Sequence, residues 1–139
     1  MDQDFGTRVI GQTEKALNAL LARELAGTGV TEPRWVALTL AITEGGTGGC
    51  FVGHVAGVLK TDEASADEHI AALEAAGLLR VDGADVMATE AGRALWDGVR
   101  ASIARLTREL WGDLPPEDLA VAGRVLNTVL GRANTLLAA

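Results

Sequence analysis

Apolar residues in the first part of the chain recur at helical spacing. Between Thr7 and Ala26, the side chains Ile10, Leu17, Leu20, Leu21 and Leu25 fall on one face, the three-and-four pattern of an amphipathic helix. Gly27 and Gly29 close it. Thr31, Glu32 and Pro33 then read as a helix start: a hydroxyl for the first free amides, an acid in the first turn, and a proline where no amide hydrogen is required. The helix that follows carries Trp35, Val36, Leu38, Leu40 and Ile42 and is expected to be largely buried, until Gly45-Gly46-Thr47-Gly48-Gly49 stops it. Phe51 to Leu59 is a short apolar segment, and Lys60 to Ala64 reads as a turn. A further helix sets Ile70, Leu73 and Ala76 on one face before Gly77. Its cap is open between Ser65, at capping-box spacing from Glu68, and Thr61 or Asp62.

After Gly77 the period drops to two. Leu78 to Val81 and Ala84 to Ala88 predict two short strands, joined at Asp82-Gly83 by a tight hairpin. Thr89 caps a long helix with Leu95, Trp96, Val99, Ile103, Leu106 and Leu110, ending near Gly112. Beyond Pro115 and Pro116 comes a last helix with Leu119, Ala122, Leu126, Val129, Leu130, Ala133 and Leu137. The expected fold is mostly α with a small β-hairpin wing: a winged helix-turn-helix flanked by terminal dimerisation helices. No repeat or long linker divides the chain, so residues 1–139 are read as a single domain, with the winged unit at 31–88 and dimerisation helices at 1–30 and 89–139. The terminal helices carry more apolar surface than so small a unit can cover, which predicts a homodimer held by Leu17, Leu21, Leu126, Val129 and Leu130.

Composition narrows the setting. A chain of 139 residues with 48% hydrophobic content can bury a core and is not a disordered tail. No apolar run is long enough for a membrane span, and Met1 to Thr7 opens on acids without a basic-then-apolar leader. The single Cys50 is compatible with a reducing compartment, so a cytoplasmic location without membrane association is expected. Charge changes the picture more. The formal net charge is −7, whereas nucleic-acid binding draws much of its affinity from cations that neutralise phosphates. From Phe51 to Glu90, Lys60 and Arg80 stand against eight carboxylates, a local charge of −6.

Two stretches carry a resemblance. Ile70-Ala71-Ala72-Leu73-Glu74-Ala75-Ala76-Gly77-Leu78-Leu79 is similar to a recognition helix running into a wing. Ala88-Thr89-Glu90-Ala91-Gly92-Arg93-Ala94-Leu95 is similar to a wing exit, with a threonine opening the next helix and a glycine three residues on. In these, and in element order over nearly its whole length, the sequence resembles the multiple-antibiotic-resistance regulator (MarR) family of bacterial transcription factors. The resemblance implies a dimer that binds duplex operator DNA through the second helix of the helix-turn-helix and responds to a small-molecule effector. The chain departs from the family in two places. The stretch corresponding to the family's recognition helix, Glu63 to Ala72, offers Glu63, Asp67 and Glu68 with no lysine or arginine, and the hairpin is short, with Arg80 only at the base. An alternative therefore stands beside the regulator: the same fold with DNA binding weakened or lost, serving as a ligand-binding or protein-interaction module.

On the regulator reading, the DNA contacts are Lys60, Thr61, Ser65, His69 and Arg80, with hydroxyls and helix-end amides replacing some side-chain charge. Trp35 and Trp96 either are core or line an effector cleft, with Arg93 or Arg34 meeting an anionic group. Cys50 and His54 share a face if both are helical, so the thiol is either a redox sensor or a small core residue. Cys50, His54 and His69 fall short of a closed zinc site. The glycine run lacks the lysine and hydroxyl of a phosphate-binding loop and reads as a flexible connection. No nucleophile-base set or cofactor fingerprint appears, so neither an enzyme nor a cofactor is expected.

Overall fold

In a computed structural model, the amphipathic patterns become six helices and one hairpin: α1 (Thr7–Leu25), α2 (Glu32–Thr43), α3 (Phe51–Leu59), α4 (Glu63–Ala75), β1 (Leu79–Asp82), β2 (Asp85–Ala88), α5 (Glu90–Trp111) and α6 (Pro116–Ala138). The structure describes residues 2–46 and 48–139; Met1, at the head of the N-terminal stretch, and Thr47, inside the glycine run, lie outside the described residues. Two compact units divide the chain, one ending at Ile103 and the other beginning at Ala104.

The first unit is built around α2. Its Ala37 and Leu38 are fully buried, in one core with Phe51, Val55 and Ala56 of α3, Ala66, Ile70 and Leu73 of α4, Leu79 and Val86 of the hairpin, and Val99 of α5. Ala66, Ile70 and Leu73 recur at spacings of four and three, so a single face of α4 meets this core. Leu21 of α1 and Leu95, Trp96 and Ile103 of α5 pack against its edge. The first half of α5 thus belongs to the core of the winged unit, although the sequence assigned it to dimerisation. In the second unit, α6 has no buried residue.

The structure decides one local signal that the sequence left open and resolves three others differently from the sequence reading. The α4 cap is Asp62, whose carboxylate accepts the Ser65 amide at 2.7 Å; Ser65 is the capped residue and does not form a box with Glu68. Thr31 stands at the start of α2, but its hydroxyl caps no amide. The hairpin turns at Gly83-Ala84, one residue later than expected, because Asp82 pairs with Asp85 across it. Gly83 takes a φ of 61°, the positive value that a type II′ turn requires at its first central residue. The glycine run, finally, is tied down at each described residue from 46 on. The Gly46 carbonyl accepts the Val86 amide at 2.7 Å, the Gly49 amide donates to the Ala84 carbonyl at 3.1 Å, and the Gly48 amide donates to Asp85 Oδ1 at 3.2 Å. A Cβ at Gly46 would lie 2.5 Å from the Val86 carbonyl oxygen, so glycine is required for this close approach.

Candidate nucleic-acid interface and effector site

The α3–α4 turn is held by backbone geometry. Lys60 ends α3 in the left-handed region (φ 58°, ψ 46°), and the Thr61 amide reaches back to the Ala56 carbonyl at 3.1 Å, the helix-closing bond that glycine usually provides. The Lys60 ammonium donates to the Gly57 carbonyl at 2.9 Å. A non-glycine residue in this conformation costs roughly 1–2 kcal/mol. Lys60→Gly is therefore expected to raise the melting midpoint, while any phosphate contact made by the ammonium would be lost. Thermal melts and binding titrations on one variant would then move in opposite directions.

The turn gathers Lys60, Thr61 and Ser65, and His69 follows one helical turn beyond Ser65, on the same half-buried flank of α4. Arg80 stands apart from them on β1, where its Nη2 donates to Met87 Sδ, 3.7 Å across the strand pair. The solvent face of α4 presents Ala64, Asp67, Glu68, Ala71, Glu74 and Ala75, with no lysine or arginine anywhere on the helix. Its N-terminus, where a phosphate would find free amides, already holds an anion of its own. The Ser65 amide and hydroxyl both bond to Asp62 and keep its carboxyl below the ordinary range. A lowered folded-state pKa adds stability above the unfolded value and loses it as pH falls through the folded value. Asp62→Ala should accordingly melt below the native protein at neutral pH, with the gap closing as both are titrated below about pH 4; a gap of constant size would contradict the cap.

Solved structures place this arrangement. No protein-family model matches the chain, and no curated protein does. Structural similarity is extensive nonetheless. CouR from Rhodococcus jostii RHA1, bound to p-coumaroyl-CoA, matches with a TM-score of 0.75 and 20% identity, over 87% of this chain and 88% of that one. A MarR family transcriptional regulator from Silicibacter pomeroyi matches at 0.75 and 21%, over 89% and 86%. A Mycobacterium tuberculosis MarR family protein in complex with DNA matches at 0.70 and 18%, over 91% and 98%. The chain has the MarR-family winged-helix fold.

In this MarR fold, α3 and α4 are the helix-turn-helix and β1–β2 the wing. The wing exit that carried the resemblance has a plain physical role. Thr89 donates its hydroxyl to the Gly77 carbonyl at 2.6 Å and accepts the Gly92 amide at 3.0 Å, which clamps the start of α5 to the end of α4. Trp35 and Trp96 come together, but on each other: their rings stack at 6.3 Å and 20°. The Trp96 indole N–H donates to Thr39 Oγ1 at 3.0 Å, so the polar end of Trp96 is satisfied within the protein while its ring packs on Trp35. The cation over Trp96 is Arg100, 5.2 Å from the ring centroid; Arg93 and Arg100 are both exposed. Arg100 and Thr39 were missed in the sequence, although Arg100 lies one helical turn from Trp96. Arg34 is half-buried, and its Nε has no hydrogen-bond partner.

His54 Nε2 donates to Glu44 Oε2 at 2.7 Å, linking α3 to the end of α2. Cys50 is exposed at the start of α3, its Sγ 3.8 Å from the Gly48 carbonyl oxygen. Among the described residues, no three His, Cys, Asp or Glu side chains form a metal-holding group, and no helix is long and apolar enough to cross a membrane. Of the expected dimerisation residues, Leu21 is half-buried against the core, while Leu17, Leu126, Val129 and Leu130 are exposed.

Proposed function

We propose that this chain is a cytoplasmic, homodimeric transcriptional regulator of MarR type that engages duplex DNA through its winged units and responds to a small-molecule effector. The observation that carries this reading is the α3–turn–α4–hairpin unit followed by a last helix, α6, on which Leu126, Val129 and Leu130 are exposed. A second copy is the economical cover for such a helix, and two copies supply two recognition helices for two half-sites. The likeness to a DNA complex, and to MarR family proteins with p-coumaroyl-CoA or salicylic acid bound, supports the DNA and effector parts. Within the unit, Lys60, Thr61, Ser65, His69 and Arg80 are the proposed DNA contacts. Trp35, Trp96 and Arg93 remain the family-derived place for an effector, reached only if the stacked rings part.

One observation favours a second reading. The carboxylates on α4, and the anion already capping it, oppose a polyanion, so the same dimer can serve as a ligand-binding or protein-interaction module without operator binding. Mobility shifts on DNA flanking its own gene, across a salt series, separate the two. Specific retardation that weakens steeply with salt supports the regulator. Absence of retardation at low salt removes DNA binding and leaves the module.

A further inference from the structure

A groove of about 480 Å³ opens between α4 and the hairpin, within the size range of small-molecule sites. Its floor is apolar and already organised: Phe51, Ile70 and Val86 are each less than a tenth exposed. Among the described residues, Asp67 and Glu74 are the charged ones that line it. Seven positions apart on α4, they sit about 10.5 Å from one another along the axis, with the small Ala71 between them. Glu74 Oε2 accepts the Val81 amide at 3.3 Å, which fixes one carboxylate at the hairpin side. Glu68 on α4 and Asp82 and Asp85 on the hairpin add further exposed or half-exposed carboxylates to these two elements, while Arg80, the cation of β1, lines a separate cavity with Gly77 and Ala88.

We propose that this groove is a binding site for a lipophilic organic cation, its apolar body on the Phe51–Ile70–Val86 floor and its positive centre between Asp67 and Glu74. The inference rests on the effector-responsive reading above and moves the effector from the stacked tryptophans to the α4 face. Neither half of the site suffices alone. Exposed carboxylates attract a hydrated cation only weakly, and an apolar floor accepts greasy molecules of any charge. Together they select against neutral and anionic molecules of the same shape. The site lies on the DNA-reading helix, so its occupant and DNA compete for one face.

Two rigid ions of nearly identical shape and opposite charge make the test: tetraphenylphosphonium and tetraphenylborate, titrated calorimetrically into the full-length protein without DNA. The phosphonium is expected to bind at least roughly tenfold more tightly at low salt, with the preference shrinking as salt screens the carboxylates. Asp67→Asn with Glu74→Gln, which keeps the acceptor for Val81, should erase that preference at an unchanged melting midpoint. Asp67→Asn alone, at an exposed position, gives the same direction should the double variant unfold. Ala71→Trp should block both ions. Equal binding of the two ions, or a preference that survives the double variant, overturns the proposal. So does carboxylate-dependent binding of a lysine- and arginine-rich peptide with none of the phosphonium, which would make the groove a protein-docking surface. The mobility shifts decide DNA binding separately, so either idea can fail while the other stands.

Discussion

Gly92→Ala is expected to destabilise the protein by about 1–3 kcal/mol, although it places alanine in a helix. Glycine to alanine in a helix interior ordinarily stabilises by about 0.5–1 kcal/mol, so the sign itself is the prediction. An alanine Cβ at position 92 would lie 2.1 Å from the Leu78 carbonyl oxygen and 3.0 Å from its carbon. Both obstacles are backbone and cannot rotate away. Nor can α5 shift freely, because that same carbonyl accepts the Thr89 amide at 3.1 Å and the Thr89 hydroxyl is bonded to Gly77. Relief of the clash therefore breaks the clamp between α4, the hairpin and α5. Gly98→Ala, in the same helix with nothing within 4 Å of its Cβ, is the matched control and should raise stability. Thermal melts of the two variants check both signs; each kcal/mol moves the midpoint by about 2–8 °C in chains near this size. A Gly92→Ala protein as stable as Gly98→Ala would mean that the clamp does not exist.

The clamp also shows what was legible in the sequence. Thr89 and Gly92 could be recognised as a pattern, and the helix start could be placed, because capping is a local matter of one hydroxyl and the next amides. The reason for the glycine was not legible, since it lies in a carbonyl fourteen residues upstream. The same division runs through the fold. Helices with long amphipathic stripes were placed within a residue or two, because burial repeats along them. The Gly46–Val86 pairing left no trace, because a glycine that pairs at long range has no side chain to set a period. The hairpin turn was misplaced by one residue for a related reason. Asp82-Gly83 is a good turn pair in isolation, but the observed register pairs Val81 with Val86 and Leu79 with Ala88, and Leu79 and Val86 are two of the buried hairpin residues.

The candidate site was legible in charge but not in geometry. The acidic bias of α4 could be counted before any coordinates, and its solvent face indeed presents Asp67, Glu68 and Glu74. That Asp62 would occupy the helix N-terminus could only be offered as one of three caps. Trp35 and Trp96 were singled out because aromatics are scarce, yet scarcity says nothing about which ring faces which. Their contact joins α2 to α5 across 61 positions. The groove between α4 and the hairpin escaped notice altogether, because its walls come from three separated segments whose residues are individually ordinary.

Leu126→Glu with Leu130→Glu should convert the proposed dimer to monomer. Leu126 is 46% exposed, Val129 41% and Leu130 55%, at spacings of three, four and one along α6, so they form one stripe. A leucine fully buried at a contact contributes about 1.5–3 kcal/mol, and two per copy make four in a symmetric pair. Glutamate removes that contribution and adds the cost of burying an unpaired carboxylate, which is larger still. Even half of the lower figure for four leucines, about 3 kcal/mol, is roughly a hundredfold in the dissociation constant. Glutamate is a good helix former, so α6 should keep its helicity by circular dichroism while sedimentation reports half the mass. Thr128→Glu, on the opposite side of α6, adds a negative charge to the same helix without touching the stripe and should leave the mass alone. Were the double variant to sediment like the native protein, α6 would not be the dimer contact. The argument from two half-sites would then have to find its second recognition helix elsewhere.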